Sequence, residues 1–77
     1  MKPLYIGNDA YIDSNTIFCI MSTWYPKAKK LIAQAKKENT ILDFTAGNTR
    51  QSVIILNTGS IITSTMLPKD IIDSIES

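Results

Sequence analysis

The fold of this chain is set by residues 51–65, which read QSVIILNTGSIITST. Two apolar and β-branched runs, residues 51–56 and 60–65, flank Asn57-Thr58-Gly59, a cluster that suits a tight reversal. We therefore predict two strands paired as an antiparallel hairpin. Residues 53–56 are apolar at every position, which is typical of a strand covered on both faces.

An amphipathic helix is predicted before this hairpin. Pro26 fits its first turn because early helical N–H groups have no intrahelical acceptor, and Ser22 or Thr23 is expected to cap it. The helix should run to about Glu38, with Asn39 as its stop. Its apolar stripe, spaced i, i+3, i+4, i+7, comprises Ala28, Leu31, Ile32 and Ala35.

Four further strands are predicted. Residues 4–6 and 10–13 should form a hairpin around Gly7-Asn8-Asp9, and residues 40–45 follow the helix as a strand. Residues 16–21 are apolar on both alternating faces, so we expect this strand at the centre of the sheet.

A short terminal helix, opened by Pro68, should place Ile71, Ile72 and Ile75 on one face. The predicted fold class is α+β: a small, mostly antiparallel sheet of about six short strands, one main amphipathic helix and a short C-terminal helix. Residues 1–77 are expected to form a single domain. Two helices can scarcely cover more than one side of such a sheet, so we predict a homo-oligomer that covers the other.

Composition excludes several classes of function. The chain has 77 residues, 44% of them apolar, with no histidine and one cysteine, and its carboxylates are scattered. We therefore expect no enzyme, no metal site and no cofactor. Cys19 lies in an apolar run, which predicts a buried thiol in a reducing, cytoplasmic environment. Neither an export signal nor a membrane span is expected.

Positive charge is concentrated on the predicted main helix. Residues 27–37 contain five lysines and no acid, whereas the net charge of the whole chain is only +1. This pattern is typical of a surface for a polyanion. For an isolated helix the favoured interpretation is an ordinary solvated face, since lysine is a favourable helix former, whereas repetition around an oligomer would favour the polyanion. The five are Lys27, Lys29, Lys30, Lys36 and Lys37.

Two other segments have two interpretations each. Residues 45–50 contain a glycine, two hydroxyls and the only arginine, Arg50, and so are loosely similar to a phosphate cradle. A polar hairpin turn in which Gly47 supplies a positive φ is the favoured interpretation, with Arg50 as the best single anion contact. Trp24 and Tyr25 could stack on bases or a partner, but anchoring of the loop is favoured.

Taken in order along nearly the whole chain, a set of residues resembles the RemA-like family of bacterial extracellular matrix regulators. The resemblance implies a small DNA-binding transcription regulator that forms a ring-like homo-oligomer and presents repeated basic residues to DNA. The residues that carry it are Ile6-Gly7, Asn15, the strand to Ile20, Ser22, Lys29-Lys30, Leu42-Asp43, Thr45, Gly47, Val53-Ile54 and Pro68.

The chain departs from the family pattern where the resemblance implies DNA contacts. Typical members have Gly-Arg-Arg-x-Arg, whereas residues 47–51 read GNTRQ, and Thr16 replaces an arginine that usually follows the asparagine. We expect the phosphate contacts to have moved. The alternative is a protein-interaction or structural module that keeps the ring without DNA binding. The predicted DNA-binding residues are Lys29, Lys30, Arg50, Lys36, Lys37, Asn48 and Thr49.

Overall fold

A computed structural model describes residues 2–76. These residues form six strands and two α-helices, as the sequence predicts. A short 3₁₀ helix, Ser14–Thr16, joins the second strand to the third. The elements are β1 (Pro3–Gly7), β2 (Ala10–Asp13), β3 (Ile17–Ser22), α1 (Pro26–Glu38), β4 (Ile41–Asp43), β5 (Ser52–Leu56), β6 (Ile61–Ser64) and α2 (Pro68–Glu76).

The strands are divided between two sheets, and most pairs are antiparallel. β1 pairs with β2, and the larger sheet has the order β3-β5-β6-β4. The predicted hairpin of residues 51–65 forms its centre, where Ile54 is opposite Ile62. β4 pairs with β6 in parallel, so this α+β fold contains one parallel pair.

The prediction that the third strand lies at the centre is wrong. β3 is an edge strand that pairs only with β5 within the described chain. Its apolar run is therefore only partly covered: Phe18 is 73% exposed, and Cys19, predicted to be buried, is half-buried. The outer edge of β3 pairs with no strand of residues 2–76, and β5 and β6 occupy the centre of the sheet.

The core consists of two layers on opposite faces of the larger sheet. Successive residues of a strand point to opposite faces, so Val53 packs in one layer and Ile54 in the other. The layer under α1 contains Ala28, Ile32, Ala35, Val53 and Ile61. The other layer contains Leu4, Ile6, Ile54, Ile62 and Ile71.

Both faces of the larger sheet are covered, whereas the two helices alone were expected to cover only one face. α1 packs over β4 and β6, while α2 packs against β1 and β3 on the opposite side. The β1–β2 hairpin supplies the cover that the helices alone lack. The exposed large apolar side chains are spread over several elements, and Phe18 is the one on β3.

Two helix predictions have different outcomes. Asn39 ends α1 in the left-handed region, with φ 58°, as expected. The terminal helix does not bury all three isoleucines, because Ile71 is fully buried whereas Ile72 is 41% exposed. Adjacent helical positions lie about 100° apart, so Ile72 rotates off the packed face. Neither described helix is long and apolar enough to cross a membrane.

Candidate functional site

One end of the larger sheet brings together the end of β3, the start of α1 and the start of β5. Ser22 is opposite Ser52 in the β3–β5 register. Just beyond this pair, the Thr23 N–H donates to the Gln51 carbonyl at 3.2 Å, and its hydroxyl donates to the Arg50 carbonyl at 3.1 Å. These bonds hold the backbone of Arg50 beside the segment that leads into α1.

The start of α1 differs from the prediction that Ser22 or Thr23 caps it. The N-cap is Tyr25, which forms no side-chain capping bond, and Pro26 occupies the first turn. The Ser22 hydroxyl instead accepts from the Trp24 N–H at 3.1 Å, and the Tyr25 N–H donates to the Ser22 carbonyl at 3.0 Å. Proline is favoured at the first helical position, and the hydroxyls of Ser22 and Thr23 bond within and beside the preceding turn instead of capping the helix.

Positive charge accumulates at this helix end. The first turn contains no acidic residue, and Lys27, Lys29 and Lys30 are exposed. In the described part of the chain, no carboxylate forms an ion pair with them. Lysines near the positive end of a helix dipole each cost roughly 0.3–1 kcal/mol, so this arrangement does not serve helix stability. It raises the local positive potential where helical N–H groups also lack acceptors.

The loop that carries Arg50 is ordered by Asp43. The Asp43 carboxylate oxygen Oδ1 accepts from the Thr45 N–H at 3.0 Å, the Thr45 hydroxyl at 2.6 Å and the Thr63 hydroxyl at 2.8 Å. The Asp-x-Thr spacing thus forms a turn in which the carboxylate binds the backbone two residues later. Arg50 lies 4.0 Å from the other oxygen, Oδ2.

These hydrogen bonds lower the pKa of Asp43 to about 2, with the Thr45 hydroxyl as the largest cause and Arg50 a smaller one. An ionised Asp43 therefore stabilises the fold above its unfolded pKa of 3.8, and this contribution is lost as pH falls through 3.8 towards 2. Because the side chain is 45% exposed, we expect about 1 kcal/mol after solvent screening.

Asp43→Asn should therefore reduce the dependence of unfolding free energy on pH between 5 and 2, measured by urea titration at each pH. Asp13, whose pKa is also lowered by hydrogen bonds from the Asn15 and Lys2 N–H groups, is present in both proteins. The difference between the pH profiles of the wild-type protein and Asp43→Asn therefore reports the contribution of Asp43. Identical pH profiles would show that the Asp43 network does not stabilise the loop.

The turn at residues 45–48 has the predicted positive φ at Gly47. Ala46 and Gly47 have φ of 51° and 82°, as in a type I′ turn, and the Asn48 N–H donates to the Thr45 carbonyl at 2.9 Å. It is not a hairpin turn, because β4 and β5 are not neighbours in the sheet. Asn48 lies exposed in this turn, outside the residues that line the adjacent cavity.

A cavity of about 330 Å³ opens where these segments meet. It brings together three of the residues predicted to bind DNA: Lys29, Thr49 and Arg50. Its other lining residues are Thr23, Trp24, Ile32 and Gln51. Two cations on the wall and an apolar surface suit an anionic ligand that also carries a flat or apolar group.

A second hollow, of about 400 Å³, lies at the same helix end and is lined by Tyr25, Pro26, Lys27 and Lys30. Lys36 and Lys37 lie instead in the last turn of α1, where cations stabilise the negative end of the helix. They follow Lys29 and Lys30 after two turns, about 10 Å along the axis. The structure thus brings three of the seven predicted residues to one cavity, whereas Lys30, Asn48 and the pair Lys36-Lys37 lie outside it.

Trp24 lines the cavity but is not among the predicted DNA-binding residues. Anchoring of the loop by Trp24 and Tyr25 was favoured over stacking, but Trp24 is 85% exposed and Tyr25 is also exposed. The turn from Ser22 to Tyr25 is held by hydrogen bonds of its own backbone and Ser22, so neither ring is needed to anchor it. The neighbouring lysines were the available signal, since aromatic and basic residues alternate in nucleic-acid sites.

Comparison with known proteins shows which family this chain is similar to. The family model "Extracellular matrix regulatory protein A-like", RemA-like, matches residues 4–75. A relative from Finegoldia magna is 32% identical over 69 residues, which cover 90% of this chain and 83% of the relative. One from Dictyoglomus turgidum is 32% identical over 76 residues, covering 99% and 89% of the two chains. Both are named "Putative regulatory protein".

Proposed function

The chain belongs to the RemA-like family of regulatory proteins, and from this membership we propose that it is a small DNA-binding transcription regulator that acts as a ring-like homo-oligomer. Its contacts are to phosphates through lysine and arginine side chains. The protein acts in the cytoplasm, without catalysis. Base-specific contacts are not part of this proposal, since its charged groups would read the backbone.

The convergence of Lys29 and Arg50 on one cavity is the observation that carries the proposal. These residues are far apart in sequence, and two cations on the wall of one cavity favour an anion there. The Thr23 hydroxyl donates to the Arg50 carbonyl, and Asp43 lies 4.0 Å from the Arg50 side chain. A partly ordered Arg50 loses less entropy when it binds phosphate.

The free edge of β3 supports the oligomer. An unpaired strand with an exposed apolar side chain is a template for another chain, and Phe18 projects from this strand. Each added copy would repeat the five lysines of α1 and the cavity that contains Lys29 and Arg50. Because electrostatic affinity grows with the number of phosphates contacted, a net charge of only +1 per chain does not prevent tight binding by a ring.

Two readouts on one sample test this proposal. Light scattering at micromolar concentration should give a mass several times that of one chain. Anisotropy of a labelled DNA duplex should show binding at about 50 mM salt that falls steeply by about 200 mM, since phosphate contacts release counterions. A monomer mass, or binding that is insensitive to salt, would contradict the proposal.

A second function is favoured by the exposed apolar side chains at both edges of the larger sheet, Phe18 on β3 and Leu42 on β4. On this alternative, the oligomer is a protein-interaction or structural module without DNA binding. An oligomeric mass combined with no DNA binding at about 50 mM salt would favour it, because electrostatic binding is strongest at low salt.

A further inference from the structure

Trp24 is the least expected feature of the surface. It is the only tryptophan, it is 85% exposed, and it stands on the wall of the cavity that contains Lys29 and Arg50. Burial of an aromatic ring removes about 150–250 Å² from water, so leaving this ring in solvent forgoes a large stabilisation. An exposed ring beside cations is the arrangement of a binding surface rather than of a core.

We infer that this cavity binds an unpaired nucleotide of single-stranded DNA, with the base stacked on the Trp24 indole and the adjoining phosphate held by Lys29 and Arg50. The inference rests on the proposed function, since the same two cations serve both. It further specifies that the bound DNA is single-stranded, because in a duplex the base faces are stacked within the helix and are not available to the indole.

The shape and chemistry of the cavity agree with this ligand. Its volume of about 330 Å³ is at the small end of ligand sites and suits one nucleotide rather than a helix or a strand of protein. Ile32 adds an apolar surface, while Thr23, Thr49 and Gln51 supply polar groups at the wall. Stacking on an indole does not depend on base identity, so binding should show little sequence preference.

The neighbouring hollow extends the same pattern along the strand. There, the exposed ring of Tyr25 accompanies Lys27 and Lys30. Two consecutive aromatic residues therefore each stand beside a pair of cations at one helix end. Alternation of stacking surfaces and phosphate contacts is the arrangement that binds single strands, whereas duplex binding needs the cations alone.

The single tryptophan allows a direct test with the wild-type protein. Its fluorescence should be quenched when an oligothymidylate of about 15 nucleotides is added, because a stacked base contacts the indole. An abasic strand of the same length, which offers phosphates without bases, should bind with little quenching. Equal quenching by the abasic strand, or none by oligothymidylate despite binding, would overturn the inference.

Variants separate this inference from the proposed function. Trp24→Ala should weaken binding of the single strand by about tenfold in anisotropy, and Trp24→Phe should restore part of it, while duplex affinity stays unchanged. Tyr11→Ala removes an exposed ring of β2 outside the cavity and should change neither affinity. Salt-sensitive duplex binding with no Trp24 effect would overturn only the inference. A lower oligomeric mass for Trp24→Ala would place the Trp24 indole at a subunit interface. This result would also overturn the inference.

Discussion

Replacing Lys29 and Arg50 together by glutamate should lower the affinity for duplex DNA by about 100-fold or more at low salt. Each side chain offers a charge-assisted hydrogen bond to phosphate, worth about 1.5–3 kcal/mol, and the replacements add repulsion. The slope of log affinity against log salt should also become shallower by about 2 for each subunit that contacts the DNA, because two side chains per subunit no longer displace counterions from phosphates. Anisotropy titrations at several salt concentrations measure both quantities.

The matched control reverses two lysines elsewhere. Lys2→Glu with Lys69→Glu changes the net charge by the same amount on exposed residues outside the cavity. It should retain most of the affinity if the site, rather than the overall charge, binds DNA. Equal reductions of affinity in the two double variants would remove Lys29 and Arg50 from the interface.

A neutral pair guards against misfolding of the charge-reversed protein. Arg50 lies 4.0 Å from Asp43, so glutamate at position 50 would face a like charge in the loop. Lys29→Gln with Arg50→Gln avoids that repulsion and should still lower affinity by about tenfold or more, because glutamine offers phosphate no positive charge. Wild-type affinity in this variant would contradict the assigned contacts.

The largest effect on stability is expected from Ile71→Ala in α2. Ile71 is fully buried in the layer formed with Leu4, Ile6 and Ile54, so truncation removes apolar burial and leaves a cavity. We expect a loss of about 3 kcal/mol in the free energy of unfolding, or about 15 °C in melting temperature for a domain of this size. Urea and thermal unfolding followed by circular dichroism measure it.

The adjacent residue provides the control for this prediction. Ile72→Ala is the same substitution one position later on the same helix, but the side chain is 41% exposed. Its cost should be below about 1 kcal/mol, since surface substitutions rarely exceed that and alanine favours the helix. Both variants are to be compared at one protein concentration because the proposed oligomer would make stability concentration-dependent. Similar losses in the two variants would show that α2 packs on a different face.

Local sequence patterns were sufficient for most of the secondary structure. The β5–β6 hairpin follows from two apolar runs around a reversal, and α1 follows from its apolar spacing, Pro26 and Asn39. Gly47 was correctly assigned a positive φ. These features depend on residues close together in the chain, and backbone and side-chain chemistry at that range is readable without the fold.

Local sequence patterns did not predict the strand order or the helix cap. Residues 16–21 look like a central strand, but β3 pairs with β5 along one edge only, and β5 and β6 form the centre of the sheet. Likewise, Ser22 and Thr23 have the side chains of a cap, but Thr23 donates to the Arg50 carbonyl instead. In both cases a partner distant in the chain competes with the local choice, and the tertiary contact prevails.

Spacing and charge are properties of the chain alone. They were enough to predict which helices and strands form, that five lysines lie on α1, and that Arg50 is the candidate anion contact. The shared cavity of Lys29, Arg50 and Trp24, and the exposure of Trp24, depend on the folded molecule. That juxtaposition requires the β3–β5 register, the Thr23 bonds and the Asp43 loop, which join segments separated along the chain. Loop closure brings them together only when the core of the sheet stabilises the whole fold.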